Sequence, residues 1–213
     1  MPVVVGPNMS DGSGVSMAWV PEPNPDGPDG RVVSTLRLHM ECTEAELAIA
    51  PRHLRIGRPK SIKVLPDVIG WSTGPWILSP RLRAVIDRLE PGVQRYLPIK
   101  ITTDKPFLGT TDHGDYFLLL APPRIDCVVK EKTEFCDGLG TFESSRSEIT
   151  GQVLFASSQA ARVVLRRDAI AGRHVWQLPE GWQPTVIVSD EVWAAYKAEK
   201  MKGWNSKRLV TIE

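Results

Sequence analysis

The sequence is poor in cysteine, in net charge and in long apolar runs. Its three cysteines are an odd number, and the eight residues between Cys127 and Cys136 fit neither a zinc site nor a redox pair. The 26 basic and 25 acidic residues give a formal charge of +1, so no global field attracts nucleic acid or an anionic membrane. We therefore expect reduced thiols, and no direct binding to nucleic acid or membrane.

Targeting signals are missing as well. The first ten residues, MPVVVGPNMS, lack the basic start and the longer apolar stretch of a signal peptide. No window approaches the ~18 apolar residues that a membrane-spanning helix needs. Together with the low cysteine content, these absences favour a cytoplasmic location.

The motifs of the common enzyme classes are also absent. The sequence contains no phosphate-binding loop, no dinucleotide-binding glycine motif, no H-E-x-x-H and no G-x-S-x-G. The stretch DHGD, Asp112 to Asp115, gathers metal-capable side chains, but Asp and Gly also favour a hairpin turn, which we prefer here. His39, His53 and His174 have no ligand spacing, and we interpret them as half-buried residues with hydrogen-bond partners. We expect no catalytic residue, no metal and no cofactor.

What the chain does contain is enough apolar sequence for a core. Of its 213 residues 42% are apolar and 24% charged, which fits one large domain or two small ones. Residues 21–30 form a loop rich in proline and glycine. Thr43 is expected to cap a short helix, and the basic stretch from Arg52 to Trp71 is expected to be a solvated sheet edge. Alternating apolar runs predict strands in RVVSTLRLHM (31–40), VQRYLPIKIT, DYFLLLAPP, RVVLRR, HVWQLP and TVIV.

One pattern of apolar run, serine and helix occurs twice. In GPWILSPRLRAVIDRLEPG, Ser79 is expected to cap a helix that Pro91 and Gly92 end. In TVIVSDEVWAAYKAEK, Ser189 takes the same place, and Gly203 is expected to end that helix. Apolar residues at helical spacing predict buried faces on both helices: Leu82, Val85, Ile86 and Leu89 in the first, and Val192, Ala195 and Tyr196 in the second. We therefore predict an α+β fold, with mixed or antiparallel sheets, a few packed helices and two serine-started strand–helix units.

The middle of the chain is acidic. From Asp112 to Glu148 there are eight acidic and four basic residues, a local charge of −4 in a chain of +1. Such a segment can be a set of solvated charges or a docking face for a basic partner. The candidate interface residues are Asp112, Asp115, Glu131, Glu134, Asp137, Glu143 and Glu148.

The ordered set of motifs resembles a known family. WILSPRLRAVIDRLEPGVQRYLPIKI, then DYFLLLAPPRIDCV, then IAGRHVWQLPEGWQPTVIVSDEVWAAYKAEKMKGW are similar, in order and spacing, to bacterial immunity proteins typified by a myxobacterial kin-discrimination pair. The resemblance covers Trp71 to Trp204. It departs from the family pattern after G-R-H, where this chain has Trp176, Gln177 and Leu178. We therefore divide the chain into a less recognisable region, 1–70, and an immunity-like region, 71–213, which can also form one continuous domain.

The resemblance implies a function. Immunity proteins of polymorphic toxin systems protect the cell that makes them by binding a cognate toxin, and some members of this family are encoded beside nuclease toxins. It therefore implies a protein toxin as partner, with a nuclease as the leading candidate, and no enzymatic activity. The sequence does not indicate an oligomeric state.

Two other classes of function stay open. A scaffold or adaptor would bind a partner that is not a toxin. A hydrolase with an unrecorded site could use His113 or His174 with nearby carboxylates.

Overall fold

The structure, a computed structural model, describes most of the chain. The strand expected at 31–40, and also Cys136, lie outside the described residues. The residues described are 1–7, 16–20, 22, 24, 26–28, 30, 42–57, 65–70, 76–105, 109–133, 163–179, 186–207 and 210–212.

Strands and short helices alternate along the described chain. The strands are β1 Val3–Pro7, β2 Ser16–Trp19, β3 His53–Gly57, β4 Val68–Gly70, β5 Trp76–Leu78, β6 Arg95–Lys105, β7 Gly109–Leu120, β8 Val163–Leu165, β9 Val175–Gln177, β10 Val186–Val188, β11 Trp204–Lys207 and β12 Val210–Ile212. The α-helices are α1 Glu44–Ile49, α2 Pro80–Leu89 and α3 Asp190–Ala198, and Lys130–Lys132 forms a 3-10 turn.

The chain divides into two compact units, each built from separate stretches. The larger unit comprises Pro7–Ala121 and Lys200–Trp204. The smaller unit comprises Met1–Gly6, Pro122–Glu199 and Asn205–Glu213. The regional boundary expected between residues 70 and 71 stays a prediction.

The larger unit is built on a six-stranded mixed sheet. Its strand order is β2-β3-β6-β7-β5-β4, and β3 and β6 are parallel whereas the other neighbours are antiparallel. Leu54, Ile99 and Leu118 lie on the face that packs in the core, together with Leu47 of α1. Thr43 caps α1 as expected, because its side chain accepts the N–H of Glu46 while the Glu46 carboxylate accepts the N–H of Thr43.

The smaller unit contains two sheets. One is four-stranded, in the order β11-β1-β10-β9, and the other pairs β12 with β8 in parallel. Trp176, Leu165 and Ile187 are fully buried in its core. Sheets of mixed direction with a few packed helices confirm the predicted α+β class.

The two serine-started units are confirmed as equivalent structures. In each, two short antiparallel strands lead into a helix: β4 and β5 precede α2 in the larger unit, and β9 and β10 precede α3 in the smaller unit. Ser79 accepts the N–H of Leu82, and Ser189 accepts the N–H of Val192. The predicted apolar faces lie inward, with Leu82, Val85, Ile86, Val192 and Tyr196 buried. Below, we call β4-β5-α2 the first module and β9-β10-α3 the second module.

Three local expectations were wrong. The basic stretch expected to be a solvated sheet edge lies inside the sheet over 53–57, because β3 pairs with β2 on one side and β6 on the other. Its last part, β4, is an edge strand, but that strand is buried rather than solvated. The stretch DHGD is not a hairpin turn but a bulge within β7, where His113 and Gly114 oppose Ile101 and Gly114 has φ 74°. α3 ends before Gly203, at Ala198, and Lys200 takes the positive φ of 53° after it.

Gly203 has a different role from the helix stop expected of it. Its φ is 108°, and a Cβ at this position would lie 2.2 Å from the backbone oxygen of Val68. Only glycine allows this close approach between segment Lys200–Trp204 and the first module. Trp204 then packs edge-on against Trp76, with ring centroids 6.1 Å apart.

Candidate functional site

The acidic candidates do not all lie together. Asp112 and Asp115 are exposed on β7 of the larger unit, and Glu131 is exposed in the 3-10 turn of the smaller unit. The remaining candidates, Glu134, Asp137, Glu143 and Glu148, lie outside the described residues. The structure therefore brings Asp112 and Asp115 together, and assigns Glu131 to the other unit.

Asp112 and Asp115 both lie beside one lysine. The Lys100 ammonium is 2.8 Å from a carboxylate oxygen of Asp112, and Asp115 is its direct partner in the strand register. The hydrogen bond from Lys100, followed by the N–H of Gly114, lowers the pKa of Asp112. The same bond raises the pKa of Lys100, and Asp115 adds to that effect. Asp112 thus binds the ammonium on an exposed strand surface, and Asp115 lies beside it as a second negative charge.

The bulge in β7 sets this arrangement. One extra residue between Asp112 and Asp115 reverses the alternation of side chains, so both carboxylates lie on the side of Lys100. The left-handed conformation of Gly114 permits the bulge, and its N–H donates to Asp112 at 2.8 Å. The DHGD pattern therefore positions two acids around a base.

Next to the acids lies a cation–aromatic cluster that sequence analysis did not identify. The guanidinium of Arg83, on α2, lies 4.2 Å from the ring centroid of Phe117 and 4.8 Å from that of Tyr96. The two rings meet edge-on, with centroids 6.4 Å apart. Asp87 accepts a hydrogen bond from Nε of Arg83 at 3.0 Å. Burial, and then the nearby Asp87 carboxylate, raise the pKa of Tyr96 well above its ordinary value, so its hydroxyl stays protonated.

The described histidines of the larger unit have threonine partners. His53 Nε2 is 2.8 Å from Oγ1 of Thr102, and His113 Nε2 is 2.7 Å from Oγ1 of Thr103. Both threonines are buried on β6. These contacts confirm the interpretation of His53 as a half-buried, hydrogen-bonded residue, and they give His113 the same structural role.

The second module holds a serine, a histidine and a carboxylate, but not in a hydrolase arrangement. His174 Nδ1 is 2.9 Å from Ser189 Oγ, and the same nitrogen is 3.9 Å from Glu191 Oε2. In a nucleophilic triad the serine and the acid contact opposite nitrogens of the ring. Ser189 is also buried and accepts the N–H of Val192. Its hydroxyl therefore serves as a helix cap rather than as an activated nucleophile.

A cavity of about 250 Å³ lies in the smaller unit, beside this serine. Its floor is apolar, with Ile170 and Trp176, whereas its rim carries charges of both signs, including Arg173 and Glu191. No group of three or more metal-capable side chains occurs among the described residues. Charges of both signs therefore meet at the opening of this cavity.

The equivalent serine of the first module contacts a buried carboxylate. Asp67 accepts hydrogen bonds from Ser79 Oγ at 2.8 Å, from Arg81 Nε at 2.6 Å and Nη2 at 2.9 Å, and from the N–H of Lys202 at 2.9 Å. Burial alone would raise the pKa of Asp67, but the bonds from Arg81, Lys202 and Ser79 lower it overall. Asp67 thereby ties segment Lys200–Trp204 to the start of α2.

Comparison with known proteins gives the family. Within the part of the chain that the structure describes, no helix is both long and apolar enough to cross a membrane. A comparison with curated proteins gave no match. The model of the immunity protein family Imm11 matches residues 42–211, and so extends the recognised region to the N-terminal side of Trp71. Since this match covers most of the 213 residues, the chain belongs to the Imm11 immunity protein family.

Proposed function

We propose that this protein neutralises one cognate toxin in the cytoplasm of the cell that makes it, by direct binding. The observation that carries the proposal is the family match over residues 42–211. Members of an immunity family act on a toxin partner, and a direct complex is the simplest physical means of doing so. A nuclease is the toxin we favour.

Inhibition by binding requires no catalysis from the inhibitor. A standard interface of about 1,600 Å² with a few desolvated anchor residues is enough for tight occlusion of an active site. The geometry of Ser189 and His174 is consistent with this view, because both serve the cap of α3. The protein would then need no cofactor and no turnover.

A nuclease target accounts for the acidic candidates. Nucleases bind phosphates in basic clefts, so carboxylates on an inhibitor would steer association and replace the phosphates. We propose that Asp112, Asp115 and Glu131, with Glu134, Asp137, Glu143 and Glu148, contribute to the contact. The exposure of the described members supports this role.

The direct test uses the toxin encoded by the gene beside that of this chain. Cells that produce the toxin alone should stop growing, and co-production of this protein should restore growth. Titration calorimetry with the purified toxin should give a defined stoichiometry. Growth restored without measurable binding would contradict direct neutralisation.

The acidic residues can be tested by charge reversal. We expect Glu131→Lys, Glu134→Lys and Asp137→Lys together to reduce protection sharply, because all three charges change sign in one segment. The control reverses three acids elsewhere, at Glu191, Glu199 and Glu213. Full protection by the first variant at equal protein level would remove the acidic segment from the interface, while leaving the immunity function in place.

A further inference from the structure

The outer face of β6 and β7 combines aromatic and charged side chains. Alternation along the strands places Leu97, Ile99 and Leu118 in the core. The residues that alternate with these three along each strand therefore project from the opposite face of the sheet. In this surface we include Tyr96, Pro98 and Lys100 of β6 and Asp115 and Phe117 of β7, with Arg83 of α2 beside them, and we call it the β6–β7 face.

Helix α2 covers only one end of this face. At the covered end Leu119, the register partner of Tyr96, is fully buried. Further along the strands Pro98 is exposed, and the side chain of Lys100 is 51% exposed. Tyr96 and Phe117 lie between these two regions and are partly exposed. The face thus presents an aromatic patch, bordered by charges, on a rigid sheet.

The cation–aromatic cluster is already ordered within the protein. Arg83 is held by two rings and by the Asp87 carboxylate, with its side chain 36% exposed. Arg and Tyr are among the residues that contribute most at protein interfaces, and side chains already fixed lose little entropy on binding. The cluster has the composition and rigidity of an interface anchor.

The charges beside the cluster indicate the chemistry of the occupant. Lys100 forms an ion pair with Asp112, and Asp115 is the register partner of Lys100 and lies two residues before Phe117 on β7. Exposed Arg55 of β3, opposite Thr102, adds a positive charge on the Asp112 side of this face, so Asp115 is the carboxylate on the side of the rings. A partner that places a basic side chain near Asp115 and an apolar side chain against Phe117 would complement both parts.

From this arrangement we propose that the β6–β7 face is a docking surface for the cognate toxin, centred on Arg83, Tyr96 and Phe117, with Asp115 at its rim. This inference rests on the proposed function and specifies its surface. The β6–β7 face differs from an interface made of acids alone. The two rings and Arg83 supply its anchor, and the carboxylates only orient the partner.

The test uses two variants of the full-length protein, with the toxin of the neighbouring gene as probe. Asp115→Arg changes an exposed residue, and Phe117→Thr removes the ring but keeps a good strand former. We expect each to weaken toxin binding at least about tenfold, since loss of a hot-spot contact costs that much or more. The matched control is Asp168→Arg, the same charge change at an exposed turn of the smaller unit, which should change the dissociation constant less than about twofold.

Different results would overturn the docking surface and the proposed function. Thermal melting and circular dichroism of each variant establish that it is folded, and hydrogen exchange of the wild-type complex should show protection in β6 and β7. Wild-type binding that both variants retain within about twofold would overturn the β6–β7 face as the docking surface. No binding of the wild-type protein to the toxin would instead overturn the proposed function itself.

Discussion

The two modules share one backbone plan but stabilise their helices with opposite charges. In each, the N–H of the capping serine donates to the carbonyl of the residue before the first strand, Asp67 or His174, and the serine hydroxyl contacts the side chain of that same residue. The second helical position carries Arg81 in the first module and Glu191 in the second. A carboxylate facing an arginine is thus replaced by an imidazole facing a carboxylate.

The two modules differ in the further contacts that Asp67 and His174 make. Asp67 has a side chain 8% exposed and accepts four hydrogen bonds, one of them from Lys202, so it connects distant parts of the chain. His174 contacts Ser189 within its own module, and its distance to Glu191 is 3.9 Å. This fold element therefore serves as a tertiary junction in the larger unit, whereas in the smaller unit the contacts of His174 with Ser189 and Glu191 lie within one module.

The largest expected effect is the loss of that junction. Asp67→Ala should lower the free energy of unfolding by about 3 kcal/mol, since several hydrogen bonds are lost at about 1 kcal/mol each, while half-exposed Arg81 regains water. His174→Ala should cost only about 1 kcal/mol. Urea denaturation followed by tryptophan fluorescence measures both. Equal losses would show that the two modules are not stabilised differently.

A second effect concerns the segment that Asp67 holds. Gly203→Ala introduces a Cβ against the Val68 backbone and requires a positive φ from alanine. We expect a loss of about 2 kcal/mol. Gly172→Ala is the matched control, because it also has a positive φ, 70°, but nothing within 4 Å of its Cβ position. If the two substitutions cost the same, backbone strain rather than the contact with Val68 explains the requirement for glycine.

The stability that the two capping serines contribute should differ least between the modules. Ser79→Ala and Ser189→Ala each remove an acceptor from the first turn of a helix, which costs about 1 kcal/mol. We expect the two losses to agree within about 0.5 kcal/mol, and the same denaturation experiment compares them. A much larger loss for Ser79 would mean that its hydroxyl matters mainly as a donor to Asp67. The threonine variants, which keep a hydroxyl, should recover most of the stability in both modules.

The parts of this fold that could be predicted are the local ones. Ser79 and Ser189 with their strands and helices were predicted because caps, apolar spacing and the preceding apolar runs lie within about twenty residues. The contact of Asp67 with Lys202 spans 135 residues, and no local pattern indicates it. The DHGD pattern predicts a turn rather than the bulge at Gly114, because Asp and Gly favour both structures.

The candidate site shows the same limit. Charge counting identified Asp112 and Asp115, but it could not reveal that Lys100 lies between them, since this depends on strand register. Arg83, Tyr96 and Phe117 were each visible in the sequence, yet only the packing of α2 on β7 brings them together. Alternation along β6 could have indicated Tyr96, because the core positions Leu97, Ile99 and Ile101 place Tyr96 on the opposite face.

The smallest expected effect is a difference in acid sensitivity that traces to Asp67. Its hydrogen bonds lower its pKa in the folded protein below the ordinary value of 3.8. Its ionised form therefore stabilises the fold fully at neutral pH, and this contribution is lost as the pH falls below about 4 toward the folded pKa. Asp112 and Asp190 also have lowered pKa values, so the whole protein loses stability in acid.

The difference between wild type and Asp67→Asn removes that common background. Urea denaturation should show an advantage of the wild type that stays constant from pH 7 to about pH 5 and shrinks as the pH falls from about 4 to 3. A constant difference between wild type and Asp67→Asn would mean that the bonds of Asp67 do not depend on its charge, and the first module would then resemble the second more closely than its contacts indicate.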